Sequence, residues 1–236
     1  MGKVTGTVTN GGRTDDTLLK VSGTLPVALA AGETVAVYDG ATFLGEATVT
    51  ATAWAFDDPR TLVNASAVNY TARVVDVAGN RGTPSNTYSA TVDTAAPSQA
   101  ISIITYQDDV GATTGVFGSG TLTDDRNPVL NGTLGSALAA GEVVKVYTGA
   151  GEYLGNASVS GTSWTFAPPK LLNGSSNPYK ALIADEAGNE GAATPNFIIN
   201  TNPFDADSDG VMDHLDVDDD NDGICLLYTS PSPRDL

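Results

Sequence analysis

The sequence predicts an all-β chain of two tandem sandwiches followed by an acidic tail, and three observations predict it. Glycine (26 of 236 residues) and β-branched residues interrupt every window long enough for a helix, so no helical apolar stripe can form. A unit of 109 or 110 residues occurs twice. From Asp205 to Asp222, nine of eighteen positions are aspartate.

The repeat is legible in four pairs of strings. "GTVTNGGRTDD" from Gly6 is echoed by "GVFGSGTLTDD" from Gly115, and "AAGETVAVYDGATFLGEATV" from Ala30 by "AAGEVVKVYTGAGEYLGNASV" from Ala139. "WAF" at Trp54 matches "WTF" at Trp164, and "YTARVVDVAGNRG" from Tyr70 matches "YKALIADEAGNEG" from Tyr179. A fixed period of this kind means one structural unit used twice.

Within each copy, short alternating runs lie between turn residues. "VSGTL", "VAVYDG", "EATVTA", "WAFDD", "YTARVVD" and "YSATVD" read as strands, and "SIITYQDDVG" opens the second copy. About seven short antiparallel strands per copy predict an immunoglobulin-like β-sandwich. Trp54, Phe56, Trp164 and Phe166 alternate on their strands and are expected to fill the two cores. Tyr70 and Tyr179 open the strand before "AGN", where such sandwiches have a tyrosine corner. Gly79-Asn80 and Gly188-Asn189 are expected to supply the positive φ angles of a tight turn.

These strings resemble the bacterial Ig-like repeats of very large secreted and biofilm-associated adhesins. The resemblance spans roughly residues 2–203 and rests on "TDD", "AAGE-VxVY", "LG", "W-F" and "DxAGN". It implies a stalk of repeats that carries an adhesive tip away from the cell, with calcium between domains. The first copy has no counterpart of the opening strand or of the pair Asp108 and Asp109. Residue 1 therefore falls inside a repeat, and the chain is expected to be part of a longer repeat protein. The expected division is 1–97 and 98–203 for the two sandwiches, 204–224 for the acidic segment and 225–236 for the remainder. The sandwiches are expected to fold independently about "DTAAPSQ", where Pro97 stiffens the connection.

The tail has the oxygen spacing of a calcium loop. Asp205, Asp207, Asp209, Asp213 and Asp216 stand at positions 1, 3, 5, 9 and 12, Gly210 permits the turn, and Val211 offers its carbonyl. A second loop begins at Asp218, Asp220 and Asp222 and breaks off at Leu226 and Thr229. No EF-hand helix flanks the run, which resembles the thrombospondin type 3 calcium repeats of bacterial surface proteins. "CLLYTSPSPRD" from Cys225 resembles the translation of a sequencing adaptor, so 225–236 is expected to be foreign to the natural protein. Calcium is the expected cofactor. A second site is expected where sandwich loops converge at the junction, from Asp15, Asp16, Asp93 and Asp185, whose carboxylates would otherwise repel one another.

Other chemistry is disfavoured. A net charge of −17 repels nucleic acid, and no apolar run is long enough for a membrane helix. His214 is the single histidine, so neither a zinc site nor a hydrolase triad is expected. The chain is expected to be a non-enzymatic structural and adhesive segment of a large extracellular or cell-surface protein, with a surface receptor or matrix as partner. Two alternatives are accessory modules of a large secreted enzyme and a glycan-binding module, the latter requiring exposed aromatics on one face.

Overall fold

The computed structural model describes residues 6–111, 114–172 and 174–202. The aspartate run from Asp205 and everything after it lie outside the described residues. Cα proximity separates the chain into two units: the first copy together with Ala184–Gly191, and the rest of the second copy. Every named element is a strand, so the fold is the all-β sandwich that the alternating runs predict.

The first unit contains β1 (Gly12–Thr14), β2 (Lys20–Thr24), β3 (Thr34–Asp39), β4 (Thr42–Glu46), β5 (Thr48–Thr50), β6 (Ala53–Asp57), β7 (Ala67–Val75) and β8 (Tyr88–Val92). They form one sheet of order β1-β8-β7-β3-β4 and a second of order β2-β6-β5. The second unit contains β9 (Ile101–Asp108), β10 (Gly115–Phe117), β11 (Leu122–Thr123), β12 (Val129–Leu134), β13 (Val143–Thr148), β14 (Tyr153–Asn156), β15 (Ser158–Ser160), β16 (Ser163–Phe166), β17 (Ser176–Ala184) and β18 (Phe197–Thr201). Their sheets run β10-β9-β12-β16-β15 and β11-β18-β17-β13-β14.

Two features depart from the sequence expectation. The run "EATVTA" is not one strand: Glu46 ends β4 in one sheet, and Thr48 begins β5 in the other. Ala47 makes the crossing and donates its amide to the Val35 carbonyl at 2.8 Å. The pairing is also not wholly antiparallel. β1 runs parallel to β8, and β11 parallel to β18.

The cores follow the period-2 pattern of the strands. In the second unit Tyr106, Leu130, Val144, Val146, Trp164 and Ile199 are buried together. In the first, Val37, Phe56, Val68, Tyr70, Ala90 and Val92 form the equivalent cluster. Trp164 is 1% exposed and Phe56 7%, whereas Trp54 and Phe166 are half-buried at the margin of their clusters. The four expected core aromatics thus divide two and two.

Trp164 lies across Gly132 on the neighbouring strand. A Cβ there would stand 2.2 Å from the Trp164 ring and 2.2 Å from the Ser102 carbonyl oxygen. Gly23 does the same for Trp54, with the ring 2.7 Å from a Cβ position. The glycine shared by "VSGTL" and "LNGTL" therefore provides room for an indole.

Candidate functional site

Each "AGN" turn is closed by an aspartate ahead of it. Asp76 accepts from the Asn80 amide at 2.8 Å and from Asn80 Nδ2 at 2.7 Å. Asp185 accepts from the Asn189 amide at 2.8 Å and from Asn189 Nδ2 at 2.9 Å. The side-chain hydrogen bond from Asn80 leads the effects that hold the Asp76 carboxyl below its ordinary value. Positive φ belongs to Gly79 (86°) and Gly188 (91°) but to neither asparagine. The asparagines act through their side chains, a role that the Gly-Asn turn rule did not anticipate.

This geometry bears on the four aspartates expected at a junction calcium site. All four are half-buried. Asp185 is occupied by Asn189, and Asp93 Oδ2 accepts from Arg13 Nη1 at 2.9 Å. Asp16 Oδ1 accepts from the Leu18 amide at 2.9 Å. Among the described residues, no group of three or more His, Cys, Asp or Glu side chains is placed to hold a metal ion. Holding calcium between them would mean exchanging these hydrogen-bonded partners for the cation, which asks for six to eight oxygens. The tail ligands Asp205, Asp207, Asp209, Val211, Asp213, Asp216, Asp218, Asp220 and Asp222 lie outside the described residues.

The strongest polar constellation of the first unit joins Asp39, Asp58, Arg60 and Tyr70. Arg60 Nη2 donates to Asp58 Oδ2 at 2.7 Å, and its Nη1 donates to Asp39 Oδ2 at 2.9 Å. Tyr70 donates its hydroxyl to Asp58 Oδ2 at 2.6 Å. Burial by itself pushes Asp58 up, but hydrogen bonds from Arg60 and Tyr70 outweigh it and hold the carboxyl below its ordinary value. Burial, followed by the bond to Asp58, pushes the Tyr70 phenol well up. A salt-bridged carboxylate and a phenol kept protonated form a structural clasp rather than an acid–base pair. The second copy has Pro168 and Lys170 where the first has Asp58 and Arg60, so the clasp is not repeated. There Tyr179 is buried without it, and burial raises its phenol to about 12.

The second unit has its own buried acids. Asp108 and Asp125 are each 2% exposed. Thr123 donates its hydroxyl to Asp108 Oδ2 at 2.6 Å, and Thr123 Oγ1 accepts from the Asp125 amide at 3.0 Å. Burial raises the Asp125 carboxyl, helped by the charges of Asp108 and Asp109. The strings "QDD" and "TDD" displayed these acids, but alternation alone does not say that such loop-end carboxylates turn inward.

Outside the four aromatics expected in the cores, exposed aromatics also occur. Phe43 is 54% exposed and lies 5.5 Å from the buried Tyr38, while Tyr153 is 51% exposed and lies 5.5 Å from Tyr147. Each pair sits on the hairpin of its own unit, β3-β4 or β13-β14.

No family model matches the chain, and no curated protein matches it. Among solved structures it is similar to the fibronectin(III)-like modules of CbhA from Clostridium thermocellum. That likeness has a TM-score of 0.53 at 14% identity and covers 82% of this chain and 90% of that one. A weaker likeness, with a TM-score of 0.25 at 20% identity, joins it to a biofilm-associated protein BSP domain, over 82% of this chain and 28% of that one. Another, with a TM-score of 0.24 at 11% identity, joins it to SGBP-B of the Bacteroides ovatus mixed-linkage glucan utilization locus, solved with a heptasaccharide, over 84% of this chain and 67% of that one. The first of these likenesses shows the fold, a fibronectin III-like β-sandwich, and the other two add nothing to it.

Proposed function

We propose that the chain is a non-catalytic structural and adhesive segment of a large bacterial surface or secreted protein. Its sandwich modules extend a binding part from the cell toward a surface receptor or matrix. The observation that supports this is what the two copies have in common. They share inward core positions (Val37 and Val146, Tyr70 and Tyr179) and turn closures (Asp76 with Asn80, Asp185 with Asn189). The Asp58–Arg60 clasp and the Asp108–Thr123 pair differ between them. A module repeated for its fold keeps core and turns, whereas one repeated for its chemistry would keep a polar constellation. Calcium taken up by Asp205, Asp207, Asp209, Asp213 and Asp216 stiffens the tail, with an affinity on the order of 10⁻⁴–10⁻³ M as in extracellular modules.

A glycan-binding reading is favoured by one observation, the exposed rings of Phe43 and Tyr153, each set against a tyrosine of its hairpin, since sugar faces stack on aromatic rings. Beads coated with the chain separate the readings. Attachment to matrix in millimolar calcium, reduced several-fold by chelator or by Asp209→Ala with Asp213→Ala, is the expected result. Beads that attach no better than bare ones overturn the adhesive reading. Attachment abolished by soluble glucan and by Phe43→Ala with Tyr153→Ala assigns the glycan reading instead.

A further inference from the structure

The sheet that holds β3, β4 and β7 has an outer face as well as an inward one. Val37 belongs to the core of the first unit, so alternation along β3 turns Ala36 and Tyr38 to the other side. Register puts Arg73 of β7 opposite Ala36, and Phe43 of β4 opposite Tyr38. Tyr38 is buried although it lies outside the apolar cluster. Its cover is cationic: the Arg73 guanidinium stands 4.8 Å from the ring centroid and that of Arg81 5.7 Å, with the Phe43 ring 5.5 Å away. Among the described residues neither arginine forms an ion pair, whereas Arg13 and Arg60 do. Glu46 shares the face, opposite Ala36, and accepts from the Thr34 hydroxyl at 3.3 Å. Arg73 Nε is buried with no hydrogen-bond partner. Two like charges drawn to one ring repel each other, and a buried donor without an acceptor is costly. An anion held by the two guanidinium groups relieves both.

The equivalent face of the second unit has the same character from different residues. Val146 is a core residue, so Lys145 and Tyr147 of β13 point the other way. Tyr153 lies opposite Tyr147, and Asn156, in the place of Glu46, lies opposite Lys145. Tyr179 and Ala181 are core residues, which turns Lys180 of β17 to the outer side. Its Nζ reaches the β13-β14 turn, 3.8 Å from where a Cβ at Gly151 would stand. At the positions of Arg73 and Arg81 the second copy has Leu182 and Glu190, and at those of Lys145 and Lys180 the first has Ala36 and Thr71. Each face thus carries an exposed ring beside a tyrosine and two cations, in a chain with 11 Lys and Arg against 28 Asp and Glu. The cations stand at different positions in the two copies, so packing of the shared fold does not account for them.

We propose that these outer faces bind acidic glycans, whose sugars carry a carboxylate or sulfate. A sugar ring stacks on Phe43 or Tyr153, and its anion accepts from Arg73 and Arg81 in the first unit or from Lys145 and Lys180 in the second. The arginine fork takes a carboxylate through paired hydrogen bonds, and the lysines act as point charges. A glycan with one acid per disaccharide suits a chain of net charge −17 better than a nucleic acid, which brings a phosphate with every nucleotide. The inference rests on the reading of the exposed rings as sugar-stacking surfaces and adds the charge that selects the sugar.

The test titrates the full chain with an octasaccharide of alternating glucuronate and N-acetylglucosamine, followed by calorimetry. Chelator is present throughout, so that calcium on the tail aspartates cannot bridge to the glycan. Saturable binding is expected, and the same octasaccharide with its carboxylates reduced to alcohols should bind about tenfold more weakly, the effect of losing a charge-assisted hydrogen bond. Arg73→Gln with Arg81→Gln should remove one site, Lys145→Gln with Lys180→Gln the other, and all four together should abolish binding. Phe43→Ala with Tyr153→Ala, at exposed positions outside the cores, should weaken binding with the melting temperature unchanged. Equal binding of the reduced octasaccharide overturns the proposal and leaves a neutral glycan site. No binding at millimolar octasaccharide, or full binding by the fourfold variant, also overturns it. Tighter binding of an oligonucleotide of equal charge overturns it by assigning the faces to nucleic acid. Attachment of coated beads to matrix that survives in the fourfold variant would leave the adhesive reading standing without this site.

Discussion

Replacing Trp164 with alanine is expected to lower the stability of the second unit by about 3–5 kcal/mol, the range for truncating a fully buried tryptophan. Against a typical domain stability of about 5–15 kcal/mol, that leaves the unit marginal or unfolded at 37 °C. The indole is 1% exposed, fills the space that Gly132 leaves and packs within the cluster of Tyr106, Leu130 and Val146. Trp54→Ala should cost the first unit clearly less, because part of that indole already faces solvent. Urea unfolding followed by circular dichroism checks the difference. Equal shifts from the two variants would show that the cores do not differ as described.

Arg60→Ala is expected to destabilise the first unit by about 2–4 kcal/mol, since it leaves a buried carboxylate without its cation. The Asp58 side chain is 1% exposed and that of Arg60 37%, so solvent screening reduces the effect below that of a fully buried pair. The pH dependence gives a sharper signature. In the parent chain the folded-state carboxyl of Asp58 lies below the ordinary value of 3.8. Its contribution is therefore present above about pH 4 and is lost as pH falls through the folded value. Without the Arg60 side chain, burial is opposed only by the Tyr70 hydroxyl and the residue-60 amide, so the folded value moves up toward the ordinary one. The variant then loses less stability than the parent as pH falls below about 4, and its deficit shrinks there. A deficit that persists unchanged down to the acid unfolding of the parent would show that Asp58 is not held by Arg60.

The sequence carried the repeat, most strands and the inward tryptophan of the second copy, because each rests on local alternation and on turn residues. Trp54 shows where local pattern stops. Its position matches that of Trp164, yet it is half-buried where Trp164 is 1% exposed, a difference that alternation within one strand does not display. The split of "EATVTA" at Ala47 was hidden for a similar reason, since one residue passes between sheets without any break in alternation. Asn80 and Asn189 were assigned by turn statistics to a backbone role, and the structure gives them a side-chain one. Asp108 and Asp125 look like solvated loop acids until the fold brings Thr123 between them. The exposed Phe43 and Tyr153 lie on hairpins whose alternation reads like that of a core strand. The calcium spacing of the tail is a sequence observation and stands outside the described residues.

Pulling the chain from both ends in a single-molecule force measurement tests most directly whether it is a pair of self-contained, load-bearing modules. Two separate force peaks are expected, each releasing about 250–350 Å of chain at roughly 3.3–3.6 Å per residue for modules on the order of 80–100 residues. Trp164→Ala should weaken one peak and leave the other unchanged. A single peak releasing the whole chain at once, or extension with no peak, would contradict the modular structural role.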